Sequence, residues 1–257
     1  MGALPEAVVV IPCYNEAQRL ASDEFVAFVQ RSDTRLLFVD DGSRDQTAEL
    51  LQGMVDRAPG RIEALPLRTT GGKGAAVQTG LLHAVGQGAQ IVGYLDADLS
   101  TPLEELERLI AVRTTTDVDV VLGSRVGLVG HDVRRSAVRH YLGRVFATAA
   151  SLVLGIQIYD TQCGAKVLCV GPALQQALRT PFRSRWVFDL ELLVRLRLAD
   201  PGVRLLEVPL RRWHDPGGSK LTLWQMVLAV RDLLLLTRAS RDLRRWTGQA
   251  AHEARTP

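Results

Sequence analysis

Five short apolar runs, spaced along the first half of the chain, decide its architecture. They are Ala7–Ile11, Leu36–Val39, Ile62–Leu67, Ile91–Leu95 and Val118–Leu122. Each is too short for a buried helix and rich enough in branched residues for a buried strand. Between them the pattern turns helical. Glu16–Gln30 brings Leu20, Phe25, Phe28 and Val29 near one face. Ser43-x-x-Gln46 reads as a capping box that opens a helix through about Asp56. Gly71-Gly72-Lys73-Gly74 is a turn into a helix ending near Val85, and Thr101-Pro102-Leu103-Glu104 combines a capping box with Pro at the first helical position. Strand and helix in alternation predict an α/β fold, a mostly parallel central sheet flanked by helices. In such sheets ligands bind beyond the carboxyl ends of the strands. Tyr14-Asn15-Glu16, Asp40-Asp41, Asp96-Ala97-Asp98 and Arg125 all fall at those ends, so they are expected to gather along one edge.

The second half reads differently. Arg134, Arg135, Arg139 and Arg144 punctuate a helix-like stretch that runs into apolar Val145–Leu154. Asp160–Gly164 is a loop, Trp186–Leu198 a helix and Val203–Val208 a strand. His214–Lys220 is a flexible loop, Leu221–Arg238 a C-terminal amphipathic helix, and 248–257 a frayed tail. The chain of 257 residues is long enough for one large α/β domain, read here as spanning 1–247.

Composition removes several classes. Hydrophobic residues at 47% and charged residues at 23% exclude global disorder. A net charge of +3 does not argue for nucleic acid, and no nucleic-acid partner is expected. Cys13, Cys163 and Cys169 cannot form a paired disulfide framework, and with no signal peptide a reducing cytoplasm is the expected compartment. The longest run free of Asp, Glu, Lys and Arg, Gly74–Leu95, is broken by Gln78, His83, Gln87, Gln90 and glycines, so no membrane-spanning helix is expected.

The chemistry concentrates in Asp96-Ala97-Asp98. Two carboxylates around one small residue, at the end of a central strand, can reach one hard cation, and Mg²⁺ or Mn²⁺ takes one or two carboxylates plus substrate phosphates. The alternative is a pair of aspartates at a helix N-terminus, where acidic residues are common. Asp40 and Asp41 either brace the next helix or accept hydrogen bonds from a base or ribose, with Pro12, Tyr14 and Glu16 as the adjoining wall. Lys73 lies in a Gly-rich turn that lacks the spacing of a P-loop. Arg125, Arg134, Arg135 and Lys220 are cations suited to phosphates or to a solvated basic face. Asp189 and Glu191 are two apart on a helix and do not share a face; one is functional and the other structural.

These residues resemble the family 2 glycosyltransferases of GT-A fold, in the order Val10-Ile11-Pro12-Cys13-Tyr14-Asn15-Glu16, Val39-Asp40-Asp41-Gly42-Ser43, Asp96-Ala97-Asp98 and Gly123-Ser124-Arg125. Asp160-Thr161-Gln162-Cys163-Gly164-Ala165-Lys166, Arg185–Glu191 and Gly218-Ser219-Lys220-Leu221 are similar to those of dolichyl-phosphate β-glucosyltransferases and, more loosely, of dolichol-phosphate mannose synthases. The resemblance implies that Pro12, Tyr14, Glu16, Asp40, Asp41, Lys73, Asp96 and Ala97 contact the nucleotide. It implies Mg²⁺ or Mn²⁺ on Asp96 and Asp98, phosphate contacts from Arg125 and Lys220, and Asp160 near the reacting centre. Catalytic roles then fall on Asp98, Asp160, Arg125 and Lys220, and acceptor-phosphate contacts on Arg134, Arg135 and Asp189. Residues 1–125 become the nucleotide-binding half and 126–247 the acceptor and membrane-facing half. Eukaryotic glucosyltransferases of this type carry an N-terminal anchor, and Met1–Glu6 leaves no room for one, so attachment is expected elsewhere or the acceptor is soluble.

The resemblance implies an inverting, metal-dependent transfer of a hexose from a nucleotide sugar, UDP-glucose before GDP-mannose, to a polyprenyl phosphate at the cytoplasmic membrane face. A soluble acceptor is the alternative within the class. A non-catalytic nucleotide-sugar-binding membrane adaptor is the alternative outside it. Peripheral membrane contact is expected through Val145–Leu154 and Leu221–Leu236, each next to a run of arginines, against the alternative that both helices pack on the sheet.

Overall fold

The computed structural model describes residues 6–134, 148, 151, 158–184 and 187–214. The helix expected over 221–238, Arg135, Lys220 and nearly all of Val145–Leu154 lie outside them.

The element order is β1 (Ala7–Cys13), α1 (Ser22–Arg31), β2 (Arg35–Asp40), α2 (Thr47–Arg57), β3 (Ile62–Pro66), α3 (Lys73–Gly86), β4 (Ile91–Tyr94), α4 (Leu103–Thr115), β5 (Val120–Ser124), β6 (Asp132–Arg134), β7 (Lys166–Cys169), α5 (Pro172–Leu178), α6 (Phe188–Ala199), β8 (Leu205–Pro209) and β9 (Arg212–His214). Seven strands form the central sheet in the order β3-β2-β1-β4-β7-β5-β8. All neighbours pair in parallel except at β7, which runs antiparallel to both β4 and β5. The mostly parallel α/β fold expected from the sequence is therefore present.

Both sheet faces are covered, and the alternation of side chains along β1 shows how. Val8 and Val10 join one buried cluster with Ala76, Val77 and Leu81 of α3, Leu174 of α5 and Leu192 of α6. Val9 and Ile11 join the other with Phe25 and Phe28 of α1, Leu51 and Met54 of α2 and Leu106 and Leu109 of α4. Glycine sets the distance on the first face. A side chain at Gly80 would press on Val10 and Val39, so α3 sits closer to the sheet than any larger residue permits.

Several local expectations are corrected. Helix α1 begins at Ser22, because residues 16–20 form a turn in which Arg19 N and Leu20 N both donate to Glu16 O. Ser43 does not cap α2. Its hydroxyl donates to Asp40, and Asp45 accepts instead from the Thr47 amide. Pro102 is the residue before α4 rather than its first residue, and no side chain caps that helix. Arg134 ends a strand, not a helix: β6 pairs with β9 in a separate two-stranded ribbon, with Arg134 opposite His214. Strand β7 and helix α5 escaped the sequence reading. Lys166 interrupts the apolar pattern of β7, and α5 is only seven residues long.

Candidate active site

The carboxyl ends of β1, β2, β4 and β5 share one edge of the sheet. Because β7 is antiparallel, its beginning at Lys166 reaches the same edge, opposite Tyr94 and Leu122. The loop of residues 160–165 therefore arrives among the strand ends.

Hydrogen bonds join the first two strand-end loops. Asn15 N donates to Ser43 Oγ (2.9 Å), Arg44 N to Asn15 Oδ1 (2.8 Å) and Glu16 N to Thr47 Oγ1 (2.8 Å). Asp40 accepts from the Ser43 amide (3.0 Å) and hydroxyl (2.5 Å). Asp41 is 3% exposed and its two oxygens accept separately from Gly71 N (2.7 Å) and Gly72 N (2.8 Å). One buried carboxylate thus sets the turn that opens α3. Tyr14 remains 46% exposed beside this wall, Pro12 is half-buried, and Glu16 is buried and paired with Arg19.

The Asp41-held turn delivers the next residue, Lys73, to Asp96. The two form an ion pair in which Lys73 keeps 41% and Asp96 28% of its side chain exposed. Burial alone would lower the Lys73 pKa, but the carboxylates of Asp96, Asp189 and Asp98 outweigh it and raise the value. Arg19 lies in the same field: its pKa is raised first by the hydrogen bond to Glu16 and further by Asp98 and Asp96. Asp98 is half-buried and accepts from Ser100 N (3.0 Å). Leu99, next in the chain, has φ +50°. Asn15 (φ +53°) is the other non-glycine residue with positive φ among the described residues, so both left-handed side chains lie at this edge. Ala97 between the carboxylates is buried.

Arg125 and Asp160 close the far side. Arg125 Nε donates to Asp160 Oδ2 (2.6 Å), Nη2 to Oδ1 (2.8 Å), and the Arg125 amide also donates to Oδ2 (3.1 Å). Burial alone would lower the Arg125 pKa; Asp160 outweighs it and raises the value, with a smaller contribution from Asp96. The guanidinium also lies over Trp213 at 5.4 Å. Glu207 fixes the loop from below, accepting from Tyr159 N (2.8 Å) and Asp160 N (2.6 Å).

Asp189 was expected at an acceptor phosphate. It is instead buried at the start of α6, where it accepts from Tyr94 Oη and from Lys166 Nζ (2.6 Å). Burial, followed by Asp189, raises the Tyr94 pKa well above its usual range. Glu191 is also buried and accepts from Arg183 N (3.0 Å), Ser184 N (3.0 Å) and Arg195 Nη2 (2.6 Å), a structural role. The side chain of Arg134 is not described, and Arg135 and Lys220 lie outside the described residues. The sequence reading missed Arg19, Tyr94 and Glu207. Lys166 stood in the Asp160–Lys166 motif without a role of its own; a lysine inside an apolar run was the further signal.

The arrangement is an acidic pair with two neighbours of opposite charge, Lys73 at the start of α3 and Arg125 just past β5, flanked by an exposed aromatic. Such a site can hold a diphosphate through a cation and through basic groups.

Comparison with known proteins gives the chain's family and its fold relatives. A family model described as "Glycosyl transferase family 2" matches residues 8–173. A dolichyl-phosphate beta-glucosyltransferase of Trichomonas vaginalis is 34% identical over 239 residues, covering 88% of this chain and 68% of that protein. The protein of that name from Saccharomyces cerevisiae is 30% identical over 257 residues, with coverage of 90% and 74%. An undecaprenyl-phosphate 4-deoxy-4-formamido-L-arabinose transferase of Pseudomonas fluorescens is 32% identical over 159 residues, 60% of this chain and 44% of that one. Among solved structures, glucosyl-3-phosphoglycerate synthase from Mycobacterium tuberculosis, in complex with Mn²⁺, UDP and glucosyl-3-phosphoglycerate, has a TM-score of 0.65. It is 17% identical and covers 92% of this chain and 80% of that one, a likeness of fold.

Proposed function

The chain belongs to glycosyl transferase family 2, and from that membership we propose that it carries a glucosyl unit from UDP-glucose to a dolichyl or other polyprenyl phosphate. That it is a glycosyltransferase follows from the family and from its relatives. The observation that carries the nucleotide-sugar part of this reading is the Asp96–Asp98 turn at the carboxyl edge, with Lys73 paired to Asp96 and Arg125 just past the end of β5. The names of the relatives support the glucosyl donor and the lipid phosphate. Complexes of a protein with this fold hold UDP and Mn²⁺, which supports the nucleotide and a divalent cation without separating Mg²⁺ from Mn²⁺.

The donor atoms fit such a cation. Asp96 and Asp98 would offer it hard carboxylate oxygens from one turn; no group of three metal-ligating side chains occurs among the described residues. Two carboxylates suit a cation whose remaining ligands are diphosphate oxygens and water. When bound, the cation supplies charge neutralisation for the departing nucleoside diphosphate.

The chain's own residues do the rest. Tyr14 and Pro12 offer a wall for the base, with Glu16, Asp40 and Asp41 beside it. Lys73, held in place by the Asp41-bound turn, faces the diphosphate. A phosphate oxygen of the acceptor forms its bond to the anomeric carbon as the bond from that carbon to the UDP oxygen breaks, and in-line attack turns an α-linked donor into a β-linked product. An acceptor phosphate is already ionised near neutrality, so positioning and fixed charge supply most of the barrier reduction. An alcohol acceptor would need a base, and both oxygens of the candidate, Asp160, are engaged by Arg125. This favours the phosphate acceptor over a soluble alcohol. Arg134 and Arg135 are proposed for the acceptor phosphate, and Lys220, with Arg125, for phosphate contacts in the transfer itself. Residues 1–125 are proposed as the nucleotide-binding part and 126–247 as the acceptor part.

No helix among the described residues is long and apolar enough to cross a membrane. Peripheral contact at a cytoplasmic membrane face is proposed on the lipid acceptor. The test is a donor screen with purified protein, Mn²⁺, a polyprenyl phosphate and labelled nucleotide sugars. Label from UDP-glucose in a β-linked lipid product supports the reading. Preference for GDP-mannose, or nucleotide binding with no lipid product, overturns it.

A further inference from the structure

Beneath the carboxylate pair lies a buried polar cluster that the reaction does not use directly. Lys166 is fully buried in β7, between β4 and β5. Its Nζ donates to Asp189 Oδ1 (2.6 Å) and to the carbonyl oxygen of Cys163 (2.6 Å), and it lies 5.2 Å from the Tyr94 ring centre. Tyr94 Oη donates to the same Asp189 oxygen. The peptide that Lys166 grips joins Cys163 to Gly164, and Gly164 is in direct contact with the Asp96 carboxylate: a Cβ there would overlap it. The floor is continuous with the neighbouring lysine. Phe188 packs on Tyr94 (5.7 Å between ring centres), lies 5.9 Å from Lys73 Nζ and fills the space above Gly74.

We propose that Lys166, Asp189 and Tyr94 form a brace that fixes the height of the Asp96 carboxylate, acting through the Cys163–Gly164 peptide, so that all three are positioning residues for the nucleotide-bound cation. The proposal rests on the reading of Asp96 and Asp98 given above. A buried lysine and aspartate cost desolvation, and an apolar pair of similar volume would fill the space at no such cost. A charged donor on a backbone carbonyl provides what an apolar filler cannot, a fixed peptide plane. Gly164 then transmits that plane to the carboxylate, because it has no side chain of its own to absorb a shift. Groups that orient a metal ligand from behind are commonly worth about ten- to a hundredfold in metal affinity.

The test measures UDP affinity by calorimetry, in Mn²⁺ and in EDTA, for the wild type, Lys166→Met/Asp189→Asn and Tyr94→Phe. The double variant removes both charges and keeps an acceptor for Tyr94; Tyr94→Phe keeps the ion pair. The expected result is unchanged UDP affinity in EDTA in both variants. The gain from Mn²⁺ falls about tenfold in the double variant and less in Tyr94→Phe. A merely structural cluster would lower thermal stability and leave the Mn²⁺ gain as in wild type; that result overturns the brace. If the double variant does not fold, Tyr94→Phe decides alone by the same measure. A wild type that binds UDP equally in Mn²⁺ and EDTA overturns the cation reading itself, and the brace with it. A responsive wild type with equally responsive variants overturns only the brace.

Discussion

Gly164 lies so close to the Asp96 carboxylate that a methyl group on its α-carbon would occupy the same space as the carboxyl carbon. Gly164→Ala must therefore displace either the loop or the carboxylate. The expected outcome is a folded protein whose kcat/KM for sugar transfer falls about a hundredfold, as a misplacement of ~1 Å can cost. Steady-state kinetics beside a thermal melt check it; near-normal turnover would show that Asp96 does not need its present position.

Asp98 holds one backbone amide, Ser100 N, and is half-buried. Asp98→Ala should therefore cost little stability, within about 1 kcal/mol, while abolishing transfer at saturating Mn²⁺. Denaturant unfolding and turnover measured on the same preparation separate the two. Wild-type-like turnover would remove Asp98 from the cation site.

Arg125 and Asp160 are 17% and 6% exposed in their side chains and share two side-chain hydrogen bonds. Removing one partner leaves the other as an uncompensated charge in a poorly solvated place. Arg125→Met should destabilise by about 3 kcal/mol. The double variant Arg125→Met/Asp160→Asn should lose clearly less than the sum of the two single changes. A double-mutant cycle by urea unfolding reads the coupling; additive losses would mean the pair contributes nothing as a pair.

Cys163 is fully buried, and burial, with Asp160 adding to it, pushes its thiol pKa from 9.0 to about 11. At pH 8 about one thiol in a thousand is then ionised, so Cys163 should resist iodoacetamide in the native state and react on unfolding. The sign for stability follows from the raised value. The folded form keeps the proton longer than the unfolded form, so this contribution is intact below pH 9 and is lost as pH rises from 9 to 11. The melting temperature should decline over that window in a buffer series. Native labelling of Cys163 at pH 8 would contradict its burial.

At Gly80 the added carbon of an alanine would lie 2.9 Å from a methyl of Val39 and closer still to one of Val10. Gly80→Ala gains helix propensity but overpacks the helix–sheet contact, and overpacking costs about 1–3 kcal/mol. Net destabilisation by chemical unfolding is the expected outcome, in contrast with Gly86→Ala on the same helix, where nothing lies within 4 Å.

The strand ends were readable in the sequence because periodicity and punctuation agree there. Ala7–Cys13 and Arg35–Asp40 are apolar runs closed by polar residues, and the polar residues stand at the edge where α/β sheets bind ligands. What escaped depends on partners remote in sequence. Asp41 holds the 71–72 turn, thirty residues away; Lys166 holds Asp189, twenty-three residues away; Glu207 holds Asp160, forty-seven residues away. Nothing local in those segments announces the partner. The capping box at Ser43 failed for a related reason: its hydroxyl oxygen accepts from Asn15 N, twenty-eight residues away, while the hydroxyl donates to Asp40, so it does not accept from the first turn of α2. Asp189 is the sharpest case. A carboxylate in a motif next to basic residues suggests phosphate chemistry, but a burial of 5% exposure and a lysine on its oxygen place it under the site.

Strand β7 joins the sheet's two parts from far along the chain. Strand β5, complete by Ser124, meets β4 only through a strand that begins forty-two residues later, and its other neighbour, β8, comes later still. A polypeptide severed after Ser124 would retain β3, β2, β1 and β4 as a four-stranded remnant with one raw edge, and β5 would have nothing to pair with. The acidic turn that follows β4 would stand on that raw edge, unsupported. Split versions of this protein should therefore be inert separately and regain competence only on recombination, since neither piece owns the seam on which the carboxylates stand.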